Sequence, residues 1–149
     1  DYIVIDVPRY LDAFSTKCLA AADHVILTTE LTLLSLRDAL RLQDLMRESL
    51  KMRPPMVVAN RVGLSAKNQV VVADFEKGIN AKVMHSIPFA PDIFMPIGPD
   101  IAAVKSKSHA AIKPIYELAG DLVPEAKTQQ GKAKPEKKSG IFAKNKKEA

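Results

Sequence analysis

The 149-residue chain has no tryptophan, and aromatic residues make up only 5% of it, so its core must be aliphatic. A single cysteine, Cys18, excludes an internal disulfide and makes a reducing compartment the default. Its place among Leu19 and Ala20 suits a small buried hydrophobe better than a reactive thiol. No metal-ligand spacing joins Cys18 to His24, His85 or His109, which argues against a Cys/His metal site. No G-x-S-x-G segment is present, which removes the commonest serine-nucleophile elbow. No apolar run is long enough to span a bilayer, and no signal peptide opens the chain. Of the six glycines, none stands in a G-x-x-x-x-G-K-[ST] loop, so nothing in this sequence cradles a phosphate that way.

The net charge of +5 is unevenly placed. From Lys127 onward eight lysines face Glu136 and Glu148, a local charge of +6, whereas residues 1–126 sum to −1. The body is therefore near neutral, and nucleic acid is not an expected partner. Residues 1–126 read as one domain and residues 127–149 as a basic tail. The tail is rich in Lys, Gln, Pro and Gly, which cannot bury enough surface to order themselves.

Within the body, apolar runs alternate with helical patterns. The chain starts on Asp1 rather than Met, and a preceding segment is expected. Tyr2–Val7 predicts a first, fully buried strand ending on the carboxylate of Asp6. Leu11–Ala22 predicts a helix, and His24–Thr29 a second strand. Thr32–Lys51 predicts the clearest helix. Leu36, Ala39, Leu40, Met46 and Leu50 mark its buried face; Arg37, Arg41, Asp44, Glu48 and Lys51 mark a solvated one. Pro54-Pro55 stops it. Met56–Asn60 predicts a third strand. Ser65 is placed to cap a helix over residues 66–77, with Gly78 ending it. Lys82–Ile87 predicts a fourth strand, Pro88–Pro99 a loop, and Ile101–Val123 a last helix that Pro114 should kink or divide.

Strands alternating with helices predict an α/β fold, a parallel sheet with helices on both faces. Ligands of such sheets bind beyond the carboxyl ends of the strands. The four predicted strand ends offer Asp6, Pro8 and Arg9; Thr28, Thr29 and Glu30; Asn60 and Arg61; and Pro88 and Phe89. A carboxylate suits magnesium held through water. An Asn amide can both donate to and accept from an adenine edge. A loop stiffened by proline walls a base at little entropic cost.

The order of these pieces resembles a known family. An apolar run ending in D-x-P is followed by ADHVILTTELTLLSLRDALRL, then VVANRV, then a strand ending in IP. This looks like the C-terminal half of the MinD/ParA group of P-loop ATPases, whose fold and cofactors, ATP/ADP and Mg2+, the resemblance implies. Asp6 then matches the Walker B carboxylate and metal ligand, and Asp6–Arg9 the switch II segment, with Arg9 facing phosphate across a dimer. Asn60 matches the adenine contact, beside Arg61, and Pro88–Asp92 the loop bordering the base, including Phe89. DVPRYLD and the Asp74-Phe75-Glu76 motif are similar more narrowly to CpaE/TadZ pilus-assembly proteins. The resemblance spans about Asp1–Pro124.

It implies a nucleotide-dependent homodimer acting with pilus or secretion assembly proteins at the cytoplasmic face of the inner membrane. Lacking the glycine-rich loop, this chain should not hydrolyse ATP alone. Two other readings stay open: a partitioning or cell-division positioning ATPase of the ParA/MinD type, and a scaffold with a degenerate nucleotide site. The tail reads first as a solubilising segment; the lysines around Ile141 and Phe142 permit transient contact with anionic lipid, at about 1 kcal/mol per basic residue near the surface, and no stable anchor.

Overall fold

The computed structural model describes residues 2–65, 67–94 and 109–123. The elements run α1 (Ala13–Ala21), β1 (Ile26–Thr29), α2 (Leu33–Asp44), a π-helical turn (Leu45–Ser49), β2 (Met56–Val62), α3 (Val72–Ile79), β3 (Val83–Pro88), α4 (Pro91–Phe94) and α5 (Lys113–Leu122). The three strands form one parallel sheet in the order β1-β2-β3.

Local chemistry explains where the helices begin. Asp12 caps α1, its Oδ1 accepting from the Ser15 backbone N–H at 2.7 Å. Thr32 caps α2 in the same way through Ser35, at 3.1 Å. The helix α2 runs into the π-helical turn, and Lys51, at φ 54°, ends the segment before the two prolines. The predicted polar stripe of Arg37, Arg41, Asp44, Glu48 and Lys51 is exposed throughout. Opposite it, Ala39 and Met46 are buried, and Leu36 and Leu40 pack against the core.

Alternation along β2 divides the core between the two faces of the sheet. Val57 and Ala59 join Leu31, Ala39, Phe75 and Ile79 in a cluster with α2 and α3. Val58 faces the other way, opposite His85 of β3, whose ring meets Asp121 of α5 at 2.9 Å. Helices therefore cover both faces. A second cluster, Ala90, Ile93, Ala111 and Ile112, packs α4 against the turn that opens α5. At the amino end of β3, Glu76 ties α3 to the sheet. It accepts from the Val83 N–H and from Lys82 Nζ, both at 2.9 Å.

Several sequence expectations need correction. Residues 2–7 form no strand, and Ile3 and Val4 are 89% and 94% exposed. An apolar run becomes a strand only where a neighbour takes its backbone hydrogen bonds, and among the described residues none runs beside it. The helix expected from residue 66 starts at Val72; the Ser65 carbonyl instead closes a turn, accepting from Asn68 and Gln69 N–H. Gly78 does not end that helix. Asn80 does, in the left-handed conformation at φ 49°. Gly78 instead gives α2 room, because a Cβ there would lie 2.5 Å from Leu36 Cδ1. Pro114 sits in the first turn of α5, where its missing N–H breaks nothing. The expected loop at Pro88–Pro99 contains α4, and residues 95–108 and 124–149, the tail included, lie outside the described residues.

Candidate functional site

The carboxyl ends of β2 and β3 are built irregularly. The register runs Ala59↔Ser86 and then Val62↔Pro88, so Asn60 and Arg61 together oppose Ile87. That is a β-bulge, a device that re-aims side chains at the end of a strand. Arg61 occupies the left-handed region at φ 53°, a conformation costing a non-glycine residue about 1–3 kcal/mol. Three contacts hold it there. Its own N–H donates to Asn60 Oδ1 at 2.9 Å. Its carbonyl accepts from Gln69 Nε2 at 3.0 Å. Its Nη1 pairs with Glu30 Oε1, just past β1, at 3.2 Å. Beyond the bulge Pro88 has no N–H to give, and the ladder closes through Phe89 N–H to the Val62 carbonyl at 2.9 Å.

A cleft of about 340 Å³ opens at this edge. It is lined by Asn60 and Arg61 from β2, Ile87 and Pro88 from β3, Phe89, Ala90, Pro91 and Phe94 beyond it, and Ile115 from α5. The volume falls in the range of about 300–1,000 Å³ usual for small-molecule sites. Its make-up fits as well: flat apolar walls with an amide and a guanidinium at one end. Phe89, Phe94 and Ile115 are 38%, 46% and 39% exposed, an apolar surface of the kind that marks ligand grooves.

Of the residues singled out by sequence, the structure brings Asn60, Arg61, Pro88 and Phe89 into this one cleft. Asp6, Pro8 and Arg9 are not among its lining. They lie on the segment ahead of α1, which has no regular structure. Arg9 instead donates through Nη2 to Asp38 Oδ2 of α2 at 2.5 Å. This hydrogen bond, with a weaker attraction to Arg37, holds the Asp38 carboxyl below its ordinary range. Asp12 is lowered too, chiefly by the Ser15 N–H that it caps. Ile115, Phe94 and Gln69 went unread in the sequence. The first two reach the cleft only through the packing of α4 and α5, and Gln69 only through the turn that follows β2.

Among the described residues no group of three or more His, Cys, Asp or Glu side chains is placed to hold a metal ion. None of the described helices is long and apolar enough to cross a membrane.

No protein-family model matches the chain, and no curated protein is significantly similar to it. Solved structures are similar. The MinD cell division protein of Aquifex aeolicus superposes with a TM-score of 0.59 at 22% identity, covering 83% of this chain and 50% of its own. A ParA family ATPase from Chlorobium tepidum TLS gives 0.60 at 23%, covering 72% and 45%. The chain has a MinD/ParA-type fold. The MinC:MinD cell division protein complex of A. aeolicus gives 0.59 at 21% identity, covering 87% and 52%. This chain thus spans about half the length of the solved MinD/ParA-type structures it matches. The cleft lies at the carboxyl edge of the parallel sheet, where α/β folds place their ligands.

Proposed function

We propose that the chain forms the base-binding half of a MinD/ParA-type nucleotide switch. The observation that carries this reading is the single cleft into which Asn60, Arg61, Pro88 and Phe89 converge. The residues fit a purine. Pro88 and Phe89 offer flat apolar walls, and the Asn60 amide offers hydrogen bonds to a base edge. ATP would bring phosphates and Mg2+ to such a switch, and the phosphate-binding loop would have to come from outside this sequence. Asp6 would hold the metal through water, and Arg9, once released from Asp38, would meet phosphate across a homodimer.

The finer reading is a CpaE/TadZ-like protein. Its supports are the D-x-P-R segment at Asp6–Arg9 and Asp74-Phe75-Glu76, where Phe75 is fully buried and Glu76 ties α3 to β3. Such a protein would work through nucleotide-dependent dimerisation with pilus assembly proteins at the cytoplasmic face of the membrane. A solved neighbour of the same fold is a complex with MinC, which supports a protein partner in general.

Saturation-transfer NMR of the chain with adenosine and with cytidine tests the base site. Adenosine should receive saturation, and Asn60→Ala should remove most of it. Equal transfer to both nucleosides, or transfer indifferent to Asn60→Ala, refutes the reading.

A further inference from the structure

The Asn60–Arg61 end of the cleft is controlled by a side chain that does not line it. Gln69, half-buried in the turn after β2, grips the backbone on both sides of Val62, directly after the left-handed residue Arg61. Its Oε1 accepts from the Gly63 N–H at 2.9 Å, and its Nε2 donates to the Arg61 carbonyl at 3.0 Å. The grip extends one step further. The Arg61 N–H donates to the Asn60 side chain at 2.9 Å. A backbone N–H only donates, so the Asn60 atom facing it is the carbonyl oxygen, and the amide is fixed in one of its two orientations. Oδ1 is thereby engaged, and Nδ2, which has no partner among the described residues, is the donor left over. Two hydrogen bonds in series thus run from Gln69 to the amide that lines the cleft, and the Gly63 N–H anchors Gln69 from behind.

Left alone, a non-glycine residue at φ 53° relaxes toward the right-handed region. The Arg61 N–H would then turn away from Asn60, and the amide would be free to rotate. We propose that Gln69 is a positioning residue. By holding the Arg61 backbone it fixes the Asn60 amide so that the cleft presents an N–H donor to an acceptor on the ligand edge, such as a ring nitrogen of a purine. The proposal rests on the base-binding reading above and names the residue that organises that site.

The test uses adenosine as the probe and the whole chain, followed by NMR titration. Asn60→Ala and Gln69→Ala should each weaken binding about tenfold, the scale of one or two net hydrogen bonds. Gln69→Glu keeps the acceptor for Gly63 and loses the donor to Arg61, so it too should weaken binding, even should the alanine variant fold poorly. Glu76→Gln, at the opposite edge of the sheet, should lower stability and leave the affinity unchanged. The Asn60 side-chain amide resonances should move in both Gln69 variants and stay in place in Glu76→Gln, a signature that general destabilisation does not produce. If Asn60→Ala weakens binding while both Gln69 variants bind as the parent does, the positioning role is wrong. If adenosine does not bind at all, the base-binding reading falls. Fixed Asn60 amide resonances in the Gln69 variants would then overturn the positioning role separately.

Discussion

Gly78→Ala should destabilise the protein, although a helix normally gains from that change. Within a helix, alanine is favoured over glycine by about 0.8–1.0 kcal/mol. At this position, however, the new methyl would stand 2.5 Å from Leu36 Cδ1 and 3.3 Å from Leu36 Cγ. Leu36 packs against the Phe75 cluster, so it cannot swing aside without giving up contacts there. Overpacking of this kind costs about 1–3 kcal/mol. The balance is a net loss of about 1 kcal/mol. In a Leu36→Ala background the obstructing carbons are gone, and Gly78→Ala should turn stabilising by up to about 1 kcal/mol. The coupling between the two sites is then about 2 kcal/mol, within the range for side chains in contact. Asn80→Gly supplies the contrast. Glycine adopts the left-handed cap without a Cβ penalty, so that change should be neutral or mildly stabilising. Urea denaturation of the parent, the three single variants and the double variant, with matching m-values, measures all of this. If Gly78→Ala gains its full helix-propensity benefit in both backgrounds, α2 and α3 do not approach as described, and Gly78 has no packing role.

Three further outcomes are expected. Phe75→Ala empties the centre of the α2–α3 cluster, where the ring is fully buried, and should cost about 3–5 kcal/mol by the same denaturation assay; a loss under about 1 kcal/mol would mean the site collapses or was never packed. Glu76 is held below its ordinary value of 4.5, first by the Lys82 hydrogen bond and then by the Val83 N–H, so it binds fewer protons folded than unfolded. Its stabilisation is therefore present above that ordinary value and lost as pH falls through the lowered one, and Glu76→Gln should flatten that acid limb of a stability–pH curve; an unchanged limb contradicts the tether. On the proposed nucleotide-switch reading, with a phosphate-binding segment supplied, Asp6→Ala should abolish magnesium-dependent, ATP-driven dimerisation by light scattering, and intact dimerisation would remove Asp6 from the metal role.

Much of the fold could be read from residues because several levels of signal agreed. In α2, apolar spacing, a Thr cap and a Pro-Pro stop all point one way, and the helix forms where they say. The strands β1, β2 and β3 come from β-branched runs bounded by turn residues. The errors arise where a local signal was true but used elsewhere. Ser65 does make a turn, yet Val71 takes the cap position of α3. Gly78 is needed for a close approach, and not for a stop. Tyr2–Val7 has the pattern of a buried strand and, among the described residues, no neighbouring strand to pair with. In the cleft, Asn60, Arg61, Pro88 and Phe89 were legible because parallel strand ends converge on one edge. Ile115 and Phe94 were not, since nothing in the local pattern tells which helix face α5 turns toward β3. The left-handed backbone of Arg61 has no sequence signal either; a bulge imposed by the register made it.

The π-helical turn at Leu45–Ser49 has a consequence for how this sequence can vary in length. A π turn accommodates one residue more than the α-helical turn it replaces. Removing one residue there would restore plain α-helix and leave both flanks in phase with what they pack against. Elsewhere in α2 a one-residue deletion would rotate everything downstream by about 100° and carry Met46 out of the core. Homologous chains that differ by a single residue in this helix should therefore carry the gap between Leu45 and Ser49.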